Sequence, residues 1–184
     1  MEKLRNKAGL LNNRLDHTFF CRDSLVIAPE ILGKVMVRVL PDGTRICVPV
    51  TEVEVYRGME DLACHASKGK TKRNQVMFGP GGYIYMYLVY GMHWMLNIVA
   101  GEEGNPEALL IRGAGEISGP GLVTRYLKLG GDFYGENLTT SNRIWLENAQ
   151  SINRFSTSPR IGINYAGEPW VSIPWRFRAI TAFV

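Results

Sequence analysis

Residues Val48 to Tyr56 read VPVTEVEVY, and their alternation decides the fold. Side chains of an extended chain point to opposite faces with a period of two. Glu52, Glu54 and Tyr56 therefore share one face, and Val53 and Val55 share the other. Two carboxylates and a phenol on one face describe either the solvated side of an edge strand or a carboxylate beside an aromatic platform. The segment by itself does not choose between these, nor between Glu52 and Glu54. Upstream, LGKVMVRVL (32–40) alternates in the same way, and Pro41-Asp42-Gly43 supplies turn chemistry, so the two runs form a hairpin. Before them, SLVIAPEIL (24–32) is expected to be a short helix, with Pro29 breaking it or starting a turn of it.

Downstream of Tyr56, residues 58–78 are polar and without period, as in a long loop with short helical turns. Gly79-Pro80-Gly81-Gly82 then opens two strand-like runs, YIYMYLVY (83–90) and HWMLNIVA (93–100), which predict a protruding β-hairpin. Tyr83, Tyr85 and Tyr87 fall on one face, with Tyr90 at the tip. An aromatic stripe is ordinarily core, but four tyrosines in eight residues each bring a hydroxyl that needs a partner. A turn near Met92 sets Tyr87 opposite Asn97, a ring and an amide that suit a planar, hydrogen-bonding ligand such as a nucleobase. ALLIRG (108–113) reads as a strand ending near Arg112, which either pairs with a carboxylate such as Glu54 or extends to the surface. LVTRYLKL (122–129) reads as an amphipathic helix closed by Gly130-Gly131, and WLENA, RIGINYAGE and PWRF as short strands and turns. The expected fold is α/β: one compact domain over 17–184, with a curved, mostly antiparallel sheet, a protruding hairpin and surrounding short helices. A polar arm over 1–16 precedes it.

A chain of 184 residues is long enough for one hydrophobic core, and 46% apolar with 21% charged residues is globular composition. The formal charge of +4 is compatible with a polyanionic partner without establishing one. The loop KGKTKRN (68–74) concentrates that charge and is either a solvated run or a set of phosphate contacts. Three cysteines form no CxxC pair, and His17, His65 and His93 show no zinc spacing, so no metal site is expected. The N-terminal stretch is too polar for a signal peptide, and no apolar run reaches the roughly 18 residues of a membrane span. The expected setting is intracellular, cytoplasmic or nucleoid (nuclear in a eukaryote), without a membrane partner.

TEVEVYRGMEDLACHA, KTKRNQVMF, YMYLVYGMHWMLN, LLIRG, SGPG and RIGINYAGE stand in one order and spacing between Phe19 and Phe177. In that order and spacing the chain resembles the alkyladenine (3-methyladenine) DNA glycosylase family. The resemblance implies Glu54 as general base and Arg112 as the arginine that helps hold a catalytic water. It implies a base pocket walled by Tyr56 and Tyr87, with His65 contacting a flipped purine. Asn97 would crowd the exocyclic amine of normal guanine, and Tyr90 would enter the duplex to fill the gap left by the flipped nucleotide. DNA-backbone contacts are expected from Lys70, Thr71, Arg73, Met77 and Gly162. The chain departs from the mammalian members at His93-Trp94 and in its last block, RFRAITAFV.

The activity implied is that of a monomeric, monofunctional glycosylase without a cofactor. It would act on alkylated or deaminated purines (3-methyladenine, 7-methylguanine, hypoxanthine, ethenoadenine) in duplex DNA and leave an abasic site. No amine stands out as a Schiff-base nucleophile. Two rival readings use the same residues: a catalytically silent nucleic-acid-binding module, and an RNA or nucleoside hydrolase. The first is disfavoured by the presence of both Glu54 and Arg112, the second by a wedge such as Tyr90, which only a duplex requires.

Overall fold

The computed structural model describes residues 13–150 and 152–180. Among the described residues the chain builds a nine-stranded sheet, antiparallel at every pairing. Its main path runs β3 (Ile84–Val89), β4 (His93–Ala100), β5 (Glu107–Ala114), β2 (Arg45–Arg57), β1 (Val35–Val39) and β7 (Ile144–Glu147). A two-residue β6 (Ile117–Ser118) folds back on β5, and β8 (Phe155–Ser158) pairs with β9 (Arg176–Ala179). The long strand β2 is the organiser: β1 pairs with its first part, β9 with Glu52–Glu54, and β5 with its second half.

Alternation sorts the side chains as the sequence predicts, with one refinement. Val53 and Val55 enter the main core, but so do Val48 and Val50, which have the opposite parity. The pairing of β2 with β5 shifts register on both sides of Glu52: an extra residue on β2 (Thr51) is followed by one on β5 (Arg112), a bulge that re-aims both strands. Gly113 permits this: a Cβ there would stand 2.5 Å from Thr51 Oγ1. Without the bulge, one of the two valine pairs would face away from the core.

Among the described residues three short α-helices pack around the sheet. α1 (His17–Phe20) is capped by Asp16, whose carboxylate accepts from the amides of Thr18 and Phe19. α2 (Ser24–Glu30) contains Pro29 and starts at Asp23, which accepts from Leu25 N. The buried carboxylate of Glu107 accepts from Ser24 N at 2.8 Å and so ties this helix to β5. α3 (Pro120–Tyr126) carries its proline in the first turn, where no amide is needed. It ends at Leu127, and Lys128 takes a positive φ of 50°, so the stop lies before the expected Gly130-Gly131. Of the arm expected over 1–16, residues 1–12 lie outside the described residues. Arg14 bridges to Glu147, and Leu15 is buried in the core.

The hairpin differs from expectation by two residues of register. Tyr90 and Gly91 both have positive φ (52° and 69°), and Met92 N donates to Val89 O, the arrangement of a type I′ turn. Tyr87 therefore pairs with Met95, and Asn97 pairs with Tyr85. A shift of two positions preserves the face, so Tyr87 and Asn97 still look into the same space. His93 packs on Gly121 at the start of α3, and Trp94 on Gly131.

Candidate active site

Ile84 and Met86, Leu96 and Ile98, Leu109 and Ile111, and Val53 and Val55 all point into the main core. Their alternates point to the other face and meet there. Glu54 lies opposite Leu110, Leu110 opposite Asn97, and Asn97 opposite Tyr85, one row across four strands. Above this row is an open cavity of ≈490 Å³, within the range of small-molecule sites. Tyr56, His65, Tyr87, Tyr90, Asn97 and Arg112 all line it. These side chains come from β2, β3, β4, β5, the hairpin tip and the 65–68 turn, so the fold gathers residues up to 56 positions apart.

Glu54 is completely buried and does not itself line the cavity; it lies directly behind three residues that do. Its Oε1 accepts the backbone amide of Ile161 at 2.7 Å, and its Oε2 accepts the Tyr56 hydroxyl at 2.9 Å. Arg112 approaches both oxygens at 3.4 Å. Burial raises the carboxyl above its ordinary pKa, against the opposing pull of Arg112, the Ile161 amide, Tyr56 and Arg176. Arg112 favours the ionised form, as a neighbouring cation does, but desolvation is the larger effect. The result is a carboxylate more basic than usual, as a general base requires.

The aromatic wall is ordered by its hydroxyls. Tyr85, almost inaccessible, shares a hydrogen bond of 2.8 Å with His65 Nδ1. The His65 ring stands edge-on to Tyr87 at 4.7 Å between centroids. Burial, with Arg73 and Lys68 nearby, lowers the His65 pKa to about 4, so the imidazole is neutral at physiological pH. Desolvation also holds the phenols of Tyr56 and Tyr87 protonated. Asn97, a residue of the cavity lining, spends its Nδ2 on the carbonyls of Tyr85 and Met95, at 3.1 and 3.4 Å, and keeps Oδ1 as an acceptor.

The rim combines charge and exposed apolar surface. Tyr90 is 88% exposed at the hairpin tip, with Met92 beside it. Arg73 lines the cavity and lies over the Tyr87 ring at 5.2 Å. Lys70 is exposed near Phe78, while Thr71 is tied through both its amide and its hydroxyl to Asn74. Gly162, at φ 78°, opens onto the cavity mouth. Met77 does not belong to this rim. It is 1% exposed, packs in the cluster of Cys64 and Tyr85, and commits its amide to Asn74 O, so its side chain forms part of the cavity wall.

Sequence reasoning missed the buried pair of Asp61 and Arg160. The two make a bidentate contact at 2.5 and 2.9 Å, and both side chains are inaccessible. Arg160 also donates to Val55 O and lies between the rings of Tyr56 and Trp175. It is the residue before Ile161, so this clamp sets the amide that Glu54 receives. Glu52, the other carboxylate of β2, faces Arg112, Arg176 and Arg178. Among the described residues no three His, Cys, Asp or Glu side chains gather as a metal site, and no helix is long and apolar enough to cross a membrane.

Comparison with known proteins agrees with this construction. The profile of the methylpurine-DNA glycosylase (MPG) family matches residues 18–117 and 114–181. A relative from Methanocella arvoryzae is 39% identical over 184 residues, covering 89% of this chain and 90% of its own length. Relatives from Desulfitobacterium hafniense (38% over 192 residues) and Legionella pneumophila strain Corby (40% over 174) cover the same share of this chain and 94% and 93% of their own lengths. All three carry the name "Putative 3-methyladenine DNA glycosylase". With a buried carboxylate behind an aromatic cavity and a family match that spans both, the chain belongs to the methylpurine-DNA glycosylase family.

Proposed function

We propose that this chain is a monofunctional DNA glycosylase that extrudes an alkylated or deaminated purine from duplex DNA and hydrolyses its N-glycosidic bond. The observation that carries the reading is the placement of Glu54. It is a buried, more basic carboxylate whose partners Tyr56, Arg112 and Ile161 form one wall of a cavity with aromatic walls. A base stacked in a duplex is unreachable, so the chemistry needs extrusion, at a cost of a few kcal/mol that is least for a damaged pair. Tyr90, projecting from the tip of a rigid hairpin, is built to occupy the gap left behind.

In the cavity, the faces of Tyr56 and Tyr87 attract a cationic alkylpurine, and neutral His65 offers a hydrogen bond rather than a repelling charge. Glu54 takes a proton from a water as that water attacks C1′. The C1′–N bond breaks, and its electron pair leaves with the purine. The carboxylate's negative charge stabilises the oxocarbenium-like transition state. An abasic site results, with the strand intact. Release of abasic sites from a panel of duplexes carrying 3-methyladenine, 7-methylguanine, hypoxanthine or ethenoadenine tests the reading. Excision of at least one lesion from duplex without strand nicking is expected. Activity only on free nucleosides or RNA, or no excision at all, would overturn it.

A further inference from the structure

The mechanism above uses one carboxylate of β2 and leaves the other, Glu52, without a role. Glu52 is buried at 6% exposure yet faces three arginines from two strands: Arg112 on β5 at 3.3 Å, and Arg176 and Arg178 on β9 at 3.6 and 4.0 Å. The arrangement around Arg112 is specific. Its Nε lies 3.3 Å from Glu52 Oε1 and 3.4 Å from Glu54 Oε1, shared between two carboxylates.

A carboxylate offers about four acceptor positions. On Glu54 two are filled by short bonds, from Ile161 N and the Tyr56 hydroxyl, and the other two face the long contacts of Arg112. An unrestrained arginine beside a buried carboxylate closes into a parallel bidentate pair with N–O distances near 2.7–2.9 Å. Arg160 does so with Asp61 in this same protein. A water that gives its proton to Glu54 must take an acceptor position, and the Arg112 edge holds the weakest bonds.

We infer that Glu52 is a positioning residue: it holds Arg112 back from a bidentate closure on Glu54 and so keeps an acceptor position on the base open to water. Charge completes the argument. The groups facing Glu54 are Glu52 and Tyr56 on its own strand, Arg112 from β5, Arg176 from β9, Tyr87 from β3 and the Ile161 amide. Neutralising Glu52 removes a negative charge and releases two of these arginines toward Glu54. The base then becomes both weaker and more occupied.

The inference rests on the glycosylase reading, and the test separates the two. Single-turnover excision of 7-methylguanine from duplex is followed from pH 4.5 to 8.5; this purine is already cationic, so the acid limb reports the base alone. Excision by the unaltered protein is the condition of the earlier reading. Given that, Glu52→Gln is expected to lower the plateau rate roughly tenfold and to move the acid limb down by about half a pH unit or more. Arg176→Gln, which removes a cation from both carboxylates, is expected to move the limb up. Opposite shifts are not produced by loss of stability alone, and the second variant keeps the test decisive if the first does not fold. An unchanged limb and plateau in Glu52→Gln, or an unmoved or lowered limb in Arg176→Gln, overturns the inference.

Discussion

The backbone amide of Ile161 donates to the carboxylate of Glu54 at 2.7 Å, joining positions 107 residues apart. That contact depends on Arg160, one residue earlier, which is locked to Asp61 beneath the ring of Tyr56. Glu54 is thus held from both ends: by its own strand, and by a distant loop anchored through a buried ion pair.

Breaking one partner of such a pair leaves an uncompensated charge, at a cost of roughly 3–5 kcal/mol. Asp61→Ala is therefore expected to lower stability by about that amount in urea unfolding. It should also slow excision more than it weakens DNA binding, because the Ile161 amide loses its fixed place. A loss below about 1 kcal/mol would show that the clamp is not a structural support.

Neutral His65 gives a pH signature. Its pKa falls from 6.5 to about 4 on folding, so the folded protein binds fewer protons than the unfolded chain between those values. The stability associated with it is fully present above pH 6.5 and is lost as pH falls toward 4. His65→Gln is expected to flatten the stability profile between pH 4 and 6.5, by at most about 2–3 kcal/mol. Unfolding curves at pH 7 and 4.5 make the comparison; an unchanged slope would contradict a buried neutral ring.

Glu54 behaves in the opposite sense. Its pKa is raised on folding, so the folded state binds more protons, and stability falls as pH rises through the folded pKa. Glu54→Gln should raise the Tm at neutral pH, and the advantage should disappear at acid pH, where the carboxyl is protonated in both states. A lower Tm at pH 7.5 would mean that its hydrogen bonds outweigh its burial.

Tyr90 occupies a turn position that prefers Asn or Gly, at a φ of 52°. Tyr90→Asn is expected to stabilise the hairpin by about 1 kcal/mol while weakening base extrusion, read as a smaller 2-aminopurine fluorescence rise on binding. Gain of stability with unchanged extrusion would remove the wedge role. The same separation applies to Asn97→Ala, which should extend activity toward guanine-type bases if the amide guards the cavity; an unchanged substrate range would refute that.

Much of this site is legible in short stretches of sequence because alternation is a local property. VTEVEVY places Glu54 and Tyr56 on one face, and YIYMYLVY gathers the tyrosines on another strand of the same sheet. The hairpin register is not local in that way: it depends on Tyr90 and Gly91 both adopting positive φ, and tyrosine does not advertise that conformation. The same holds for Lys128, which ends α3 in place of a glycine. Asp61 and Arg160 stand 99 residues apart and carry no shared motif, so their pairing appears only in three dimensions. The basicity of Glu54 also escapes the sequence, since a neighbouring arginine argues for a lowered pKa and only burial shows which effect is larger.

Glu54→Gln in a single-turnover assay, with lesion-duplex affinity measured on the same protein, addresses the central claim most directly. Glutamine keeps the shape of the side chain and an acceptor for Ile161 N but cannot take a proton from water. Affinity within a few-fold of the unaltered protein with excision reduced by 10² or more is the predicted result. Near-normal excision by this variant would contradict the account.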